Sequence, residues 1–419
     1  MLVLKNKINV NTILFFLCIG VTYFNFFELT FMVWLLSFLI TIKNVYTKEL
    51  VKYILPYAII LVIAIVISFF YDSSLYSKIK DFTYLFKPIL GILLGYQLLR
   101  SQPKEAFKTI IKTGAIIAII HLFLVIKSTI TLGSFNVNYI RTVGGYFSDF
   151  EVYVIIILIF YKKFDLEYSL KKRNTLLLIV SFSCFLYLSR TNFIQFIILY
   201  LGLKGYLLFT KKAVKIIFIS LITVSIAYGS IWYINPKRQG KGLEAFLYKI
   251  KIAPIEPFKT RIDKEDWKDF NDNYRSYENI TTIKQVSHGG ILSVMFGKGL
   301  GSNINLGRKI RTNDGSDIQY IPILHNGFMT VFLKSGILGV CFLILFIILL
   351  YRQKRSSNPL INHINFMLMA TAVFLIVSNW VFMGLYLKLD NKSIIIGYLL
   401  ALRFSIFKNL EDQNTSNQE

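Results

Sequence analysis

The chain has 419 residues, 55% of them hydrophobic, and its mean hydropathy of +0.56 is higher than a soluble globular domain shows. The formal net charge is +24, but the basic residues lie between apolar segments rather than in one patch, which argues against nucleic acid as a partner. Cys18, Cys184 and Cys341 all lie inside apolar segments, so the sequence predicts neither a disulfide framework nor a metal-binding spacing.

Apolar segments follow one another from the start of the chain to its end, and a helix of roughly 20 apolar residues crosses a bilayer. We therefore predict an all-α, polytopic integral membrane protein with about 12 transmembrane helices. The first segment lacks a small-residue cleavage site, so we interpret it as a retained helix and not as a signal peptide. The predicted helices cover residues 9–26, 29–42, 53–71, 82–99, 109–127, 146–161, 174–190, 191–209, 213–233, 327–351, 363–386 and 392–407.

The charges of the loops predict the topology. Basic loops such as 162–173 and 211–215 alternate with loops that are poorer in Lys and Arg, such as 72–81 and 388–392. Because cytoplasmic loops carry the excess of Lys and Arg, both termini are predicted to be cytoplasmic. The predicted organisation is helices 1–9 in residues 1–233, a large extracytoplasmic loop in 234–322, helices 10–12 in 323–407, and a cytoplasmic tail in 408–419.

His325 stands at the end of the predicted outer loop, where a long apolar segment begins. Imidazole is the side chain best suited to proton transfer near neutral pH. A histidine at a membrane surface is also often structural, and position alone does not decide between the two roles. By contrast, His121 lies within an apolar span and is predicted to be a packed core residue.

Three cations lie at the outer ends of predicted spans: Lys87, Arg141 and Arg190. Each one alone is explained by snorkelling or by contact with lipid headgroups. Together they are less easily explained in this way, because basic residues are disfavoured on the outer face. Arginine binds phosphate oxygens in a bidentate manner and lysine supplies a point charge. The three residues therefore suggest a pyrophosphate ligand at the outer membrane surface.

The outer loop carries no convincing metal motif. Its acidic residues lie among Lys and Arg and are interpreted as a solvated surface. Asp314-Gly-Ser-Asp317 is better explained as a turn than as a site for a divalent ion. The stretch 297–301 lacks the spacing of a phosphate-binding loop and is interpreted as a helix end followed by a turn.

Several short motifs, in this order and topology, give the chain a resemblance to the O-antigen ligase and O-antigen polymerase superfamily of bacterial polysaccharide assembly. The resemblance covers most of the chain. The motifs are RTVGGYFSDF at 141–150, LSRTNF at 188–193, NYRSYENI at 273–280, FGKGLGS at 296–302, LHNGF at 324–328 and GILGV at 336–340.

The resemblance implies a membrane glycosyltransferase of the C-type fold, acting on undecaprenyl-pyrophosphate-linked oligosaccharide at the outer face of the bacterial inner membrane. Carried over to this chain, it implies that His325 is the general base and that Lys87, Arg141, Arg190 and Arg275 bind the pyrophosphate of the donor. The expected reaction uses no cofactor and no metal. Membrane lipid, a chain-length regulator and a flippase are the further partners expected.

Three functions are compatible with this sequence. The first is polymerisation of oligosaccharide repeat units into an O-antigen, capsular polysaccharide or exopolysaccharide. The second is a ligase of the same fold, which transfers a finished glycan to lipid A core or to a protein. The third, of another class, is a flippase or other transporter of lipid-linked oligosaccharide. Transporters place ionisable residues near the bilayer midplane, whereas the clearest cations here lie at the outer surface.

Overall fold

The computed structural model describes the chain apart from residues 1–9, 43–45, 100–102, 133–136, 209, 239–242, 253, 257–258, 264, 312–316 and 417–419. It is mostly helical. Its helices are α1 (Val10–Gly20), α2 (Phe27–Thr41), α3 (Lys48–Ile67), α4 (Leu75–Leu98), α5 (Pro103–Leu132), α6 (Val137–Gly144), α7 (Asp149–Ile159), α8 (Leu170–Leu186), α9 (Arg190–Leu203), α10 (Lys211–Ile234), α11 (Leu243–Ile252), α12 (Trp267–Asp272), α13 (Tyr274–Ser287), α14 (Gly290–Phe296), α15 (Gly327–Tyr351), α16 (Pro359–Val381) and α17 (Lys392–Ser416); its strands are β1 (Ile304–Arg311) and β2 (Asp317–Ile321).

A helix lies at each of the twelve positions predicted from the sequence. Within the described residues, six helices are long and apolar enough to cross a membrane, namely α3, α5, α10, α15, α16 and α17, while α1 and α2 are shorter apolar helices. These helices indicate a membrane protein. The twelve crossings and the sidedness of the loops stay predictions.

Helices α4 and α17 form the most extensive of the helix pairs in the described part of the chain. Gly95 on α4 faces the backbone of α17, where an added Cβ would lie 2.0 Å from the carbonyl oxygen of Ile394. Gly397 on α17 faces α4 in the same way, 2.0 Å from the carbonyl oxygen of Ile92. Small residues at such crossings let two helix backbones approach closely, which is how helices associate in membranes without a hydrophobic drive between them.

Helix α10 stands apart from this bundle. Its most apolar stretch of 18 residues is not buried by other parts of the described chain, although the mean hydropathy is 2.0. Near its C-terminal end the Tyr228 hydroxyl donates to the carbonyl oxygen of Lys251 on α11. An apolar helix of 24 residues with this exposure is suited to contact with lipid over most of its surface.

The predicted outer loop is folded, and it contains an element that the prediction of an all-α fold did not include. Strands β1 and β2 form a two-stranded antiparallel sheet in which Asn305 pairs with Tyr320. Ile304, Leu306 and Ile321 are buried against α13 and α15. The hairpin forms because these apolar side chains alternate with polar ones, so that one face of the pair is covered and the other is solvated.

A glycine turn, residues 297–301, fixes the folded loop to the bundle. The amide of Lys298 donates to the carbonyl oxygen of Leu333 at 2.8 Å, and the amide of Leu300 donates to that of Ala64 at 3.1 Å. Gly299 has φ of +75°, and an added Cβ would lie 2.4 Å from the backbone nitrogen of Ser68. Only glycine meets both demands, because it tolerates positive φ and has no Cβ.

Candidate active site

The turn that carries His325 is held in place by its neighbours. Asn326 caps α15, its side chain accepting a hydrogen bond from the amide of Met329 at 3.1 Å. The hydroxyl of Thr330 accepts from the amide of Leu324 at 3.1 Å. The amide of Gly327 donates to the carbonyl oxygen of Phe382 at 2.9 Å. These bonds on both sides of His325 fix the backbone from which its imidazole projects.

Glu278, on α13, holds the imidazole. His325 Nδ1 lies 3.0 Å from Glu278 Oε1 and 3.1 Å from Oε2, and the His325 amide donates to Oε2 at 3.1 Å. The Glu278 side chain is fully buried, whereas 52% of the His325 side chain is exposed. A carboxylate at Nδ1 favours the tautomer with the proton on Nδ1, which leaves Nε2 as the proton acceptor.

Tyr274 packs against this pair, with its ring 5.6 Å from the His325 ring in an edge-on arrangement. Tyr274 lies one helical turn before Glu278 on α13. Burial, and then the negative charge of Glu278, raise the pKa of Tyr274, so its hydroxyl stays protonated. The tyrosine therefore adds no negative charge beside the imidazole.

Three of the predicted phosphate-binding residues converge beside this pair: Arg141, Arg190 and Arg275. Arg275 lies three residues before Glu278 on α13 and stands over the ring of Phe382 at 5.3 Å. Arg190, the first residue of α9, donates from Nη1 to the carbonyl oxygen of Lys249 at 2.6 Å. Arg190 lies close enough to Arg141 and Arg275 for their like charges to repel.

Lys249 and Glu256 complete this cation cluster, defined as Arg141, Arg190, Lys249 and Arg275 with the carboxylate of Glu256. Partial loss of hydration, and then the charges of Arg141 and Arg190, lower the pKa of Lys249. Burial raises the pKa of Glu256 although Arg275 lies 3.9 Å away. Four cations around one carboxylate leave an excess of positive charge, which favours an anionic ligand.

Arg141 has a hydrogen-bond donor that is not satisfied within the described part of the chain. Its Nε is buried and, within the described part of the chain, has no hydrogen-bond partner. The guanidinium stands over the Tyr146 ring at 5.5 Å. A buried donor without a partner is costly, and a phosphate oxygen is a suitable acceptor for it.

Lys87 lies in a different environment. Its ammonium is fully buried in α4 and donates to the carbonyl oxygens of Leu387, Lys388 and Asp390, below the Trp34 ring at 5.0 Å. An ammonium has three donors, and these three bonds occupy them all. In this conformation Lys87 stabilises the turn before α17, and its predicted role in donor binding stays a prediction.

The sequence analysis did not predict Glu278, Tyr274, Lys249 or Glu256 as site residues, although Tyr274 and Glu278 lie in the motif at 273–280. One signal for Glu278 was present, because Arg275 and Glu278 are spaced i, i+3 and therefore share one face of a helix. The partnership with His325 joins residues 47 apart, and no local pattern reveals it. Among the described residues no group of three or more His, Cys, Asp or Glu is placed to hold a metal ion; Asp314 lies outside the described residues.

No protein-family model matches the chain, and no curated protein matches it. The assignment of a function therefore depends on the geometry of the His325–Glu278 pair and the cation cluster, together with the sequence motifs that contain these residues.

Proposed function

We propose that the protein is a membrane glycosyltransferase that polymerises oligosaccharide repeat units linked to a lipid pyrophosphate, at the outer face of the bacterial cytoplasmic membrane. One observation carries the proposal. The imidazole of His325 is held at Nδ1 by the buried Glu278, which lies one helical turn after Arg275 of the cation cluster on α13. A base and an anion-binding cluster in one place are what glycosyl transfer from a pyrophosphate requires.

In the proposed reaction, His325 Nε2 removes the proton of an acceptor hydroxyl while that oxygen attacks the anomeric carbon of the donor sugar. The bond from this carbon to the pyrophosphate oxygen breaks, and the lipid pyrophosphate leaves with the electron pair. The donor carbon passes through a state with oxocarbenium character. The arginines stabilise the negative charge that develops on the leaving group, and Glu278 stabilises the imidazolium.

The transporter alternative has one observation in its favour, which is the presence of buried charges between helices. Lys334 on α15 pairs with Asp81 on α4, and Lys392 on α17 pairs with Asp149 and Asp390. Ionisable residues inside a membrane protein often mark ion pathways. Here each lysine is already paired with carboxylate, so these groups also serve to hold helices together.

Reconstitution separates the candidates. The purified protein in lipid nanodiscs receives the lipid-linked repeat unit, and the products are resolved by gel electrophoresis. A polymerase yields a ladder of lipid-linked glycans from this single substrate, and EDTA leaves the ladder unchanged. A ligase yields product only when lipid A core or an acceptor protein is added. If neither product forms while sealed proteoliposomes move the substrate between leaflets, the protein is a transporter and the proposal is wrong.

A further inference from the structure

A second polar site lies away from the His325–Glu278 pair, where the segment between α3 and α4 meets the glycine turn and β2. It is a cavity of about 420 Å³, and its lining includes Tyr71, Asp72 and Ser77, Lys298 and Asn303, and Tyr320. This volume is within the range of sites for small organic ligands. The cavity draws its walls from three separate parts of the chain, and all of them are predicted to face outward.

The walls of this cavity are held in place by hydrogen bonds. The Tyr71 hydroxyl is 2.7 Å from the Ser293 hydroxyl. Ser73 donates to the carbonyl oxygen of Leu300 at 3.3 Å, and the amide of Gly301 donates to Asp81 Oδ2 at 2.6 Å. The glycine turn therefore forms one preorganised wall, and preorganisation lowers the entropic cost of binding.

The groups that line the cavity are those that bind sugars. Within the described chain, the side chains of Asp72, Lys298 and Asn303 have neither a hydrogen-bond nor an ion-pair partner, so their donors and acceptors are free for a ligand. Tyr71 is 37% and Tyr320 58% exposed, which leaves ring surface for the apolar C–H face of a pyranose. One carboxylate and one ammonium give no excess charge, unlike the cation cluster, so a phosphate is not favoured.

The cavity and the candidate base are connected through the hairpin and α13. Tyr320 pairs with Asn305, and Gln285 on α13 donates to the carbonyl oxygen of Asn305 at 2.5 Å. Gln285 and Glu278 are seven residues apart on α13, which is about 10 Å along a helix axis. An oligosaccharide that presents a hydroxyl to His325 can therefore extend along α13 to this cavity.

We propose that the cavity binds a sugar residue of the acceptor glycan, and so holds the acceptor while its terminal hydroxyl reaches His325. The inference rests on the proposed glycosyltransferase function, because it is that function which supplies an acceptor glycan. Stacking on Tyr320 and hydrogen bonds with Asp72 as acceptor, Lys298 as donor and Asn303 as either select a polyhydroxylated ligand over a lipid headgroup, whose phosphate is bound by the cation cluster instead.

Saturation-transfer NMR on the full chain in nanodiscs tests this site. The probe is a soluble oligosaccharide of one repeat unit, prepared by partial acid hydrolysis of the surface polysaccharide of the host. Tyr320→Ala is expected to weaken its binding roughly tenfold, a typical loss when an aromatic anchor is truncated. Tyr320→Phe keeps the ring and is expected to bind as the wild type does. Tyr76→Ala is the matched control, because Tyr76 is a tyrosine in the first turn of α4, beside the lining residue Ser77, that is 72% exposed and does not line the cavity.

Two further measurements separate this inference from the proposed function. The Tyr320→Ala variant should bind inorganic pyrophosphate with wild-type affinity, and the Arg190→Ala variant should bind it more weakly than the wild type. The His325→Ala variant should lose glycan transfer but bind the soluble oligosaccharide as tightly as the wild type does.

If the wild type polymerises but Tyr320→Ala keeps full affinity for the oligosaccharide and an unchanged KM for acceptor, the proposed sugar site is wrong and the proposed function stands. If the oligosaccharide binds in a Tyr320-dependent manner to a protein that transfers nothing, the function is wrong and the site stands. No binding by the wild type overturns the site.

Discussion

At the scale of single residues, the His325–Glu278 pair is the arrangement with the clearest chemical meaning. The carboxylate is fully buried and contacts both Nδ1 and the backbone amide of His325. The imidazole is half exposed, so its other nitrogen is available to a substrate. A structural histidine needs no such exposure, and a solvated surface histidine is not normally held by a buried carboxylate.

Replacing Glu278 tests this orientation. Glu278→Gln keeps the shape but removes the charge that stabilises the imidazolium, so kcat for glycan transfer is expected to fall by about 10²-fold. The KM for donor is expected to change little, because the cations carry donor binding. Glu265→Gln, an exposed residue of the same loop, is the control and should behave as the wild type. An unchanged kcat in a folded Glu278→Gln protein would show that the carboxylate only supports the fold.

Lys249 predicts a specific pH dependence of anion binding. Its pKa is lowered in the folded protein, so its ammonium loses a proton at a lower pH than an ordinary lysine does as the pH rises. The loss of positive charge weakens the attraction for pyrophosphate, and affinity should therefore decline on the alkaline side. In Lys249→Arg the side chain stays charged throughout, and this decline should move to higher pH. Titration calorimetry measures the affinity of both proteins for inorganic pyrophosphate at each pH. The ionisation of pyrophosphate itself affects both proteins equally, so it cancels when their affinities are compared. Identical profiles would remove Lys249 from the cluster.

At the scale of elements, the glycine turn connects the folded part of the predicted outer loop to α3, α4 and α15. Gly301 donates to Asp81, which in turn accepts from Lys334, so the turn and the buried ion pair form one network. Gly336 breaks α15 with φ of +66°, at a point where an added Cβ would lie 2.3 Å from the carbonyl oxygen of Met295. The motifs at 296–302 and 336–340 thus have a common structural cause, which is close backbone contact between the loop and the kinked helix.

Two glycine variants distinguish the backbone strain of a positive φ from a steric clash of the added Cβ. Gly290→Ala places a side chain at φ of +82° with nothing within 4 Å, so it should lose only about 1–2 kcal/mol of stability. Gly299→Ala has a similar φ but puts its Cβ 2.4 Å from the backbone of Ser68, and should be clearly less stable than Gly290→Ala. Thermal unfolding in detergent measures both. Equal melting temperatures would mean that the turn is not tightly docked.

The helices could be predicted from the sequence because roughly twenty consecutive apolar residues have few other solutions. Helix α8 begins at Leu170 rather than at 174, and α9 ends at Leu203 rather than at 209. The helices of the predicted outer loop could not be predicted, since they have only 6 to 14 residues and none contains a long apolar run. The hairpin was missed because β1 has only three apolar side chains, Ile304, Leu306 and Ile310, and a glycine at 307.

At the scale of the whole molecule, the proposed reaction requires His325, the cation cluster and the sugar cavity to face one side of the membrane. The sequence predicted Arg141, Arg190 and Arg275 by resemblance, and the fold brings them together through α6, α9 and α13. It could not predict that Lys87 is enclosed by the turn at 387–390, because that contact joins residues 300 apart. Long-range pairings are the part that a single sequence leaves open.

Topology can be measured with reporter fusions. The alternation of basic loops predicts that the segment 234–322 is extracytoplasmic and that the C-terminus is cytoplasmic. A phosphatase reporter fused at Asn271 should be active, because it folds only outside, and the same reporter at the C-terminus should be inactive. A fluorescent reporter that matures in the cytoplasm should give the opposite result at both places. An active cytoplasmic reporter at Asn271 would put the site on the wrong side for an externally presented glycan.

Single-turnover glycan transfer by His325→Ala tests the central claim most directly. The protein in nanodiscs is loaded with lipid-linked repeat unit, and the formation of the first product is followed in time. Loss of the general base is expected to slow the transfer by about 10²–10⁴-fold, while pyrophosphate binding and thermal stability stay at the wild-type level. His288→Ala, an exposed histidine at the end of α13, should transfer at the wild-type rate. Wild-type transfer by a folded His325→Ala protein would contradict the assignment of His325 as the base.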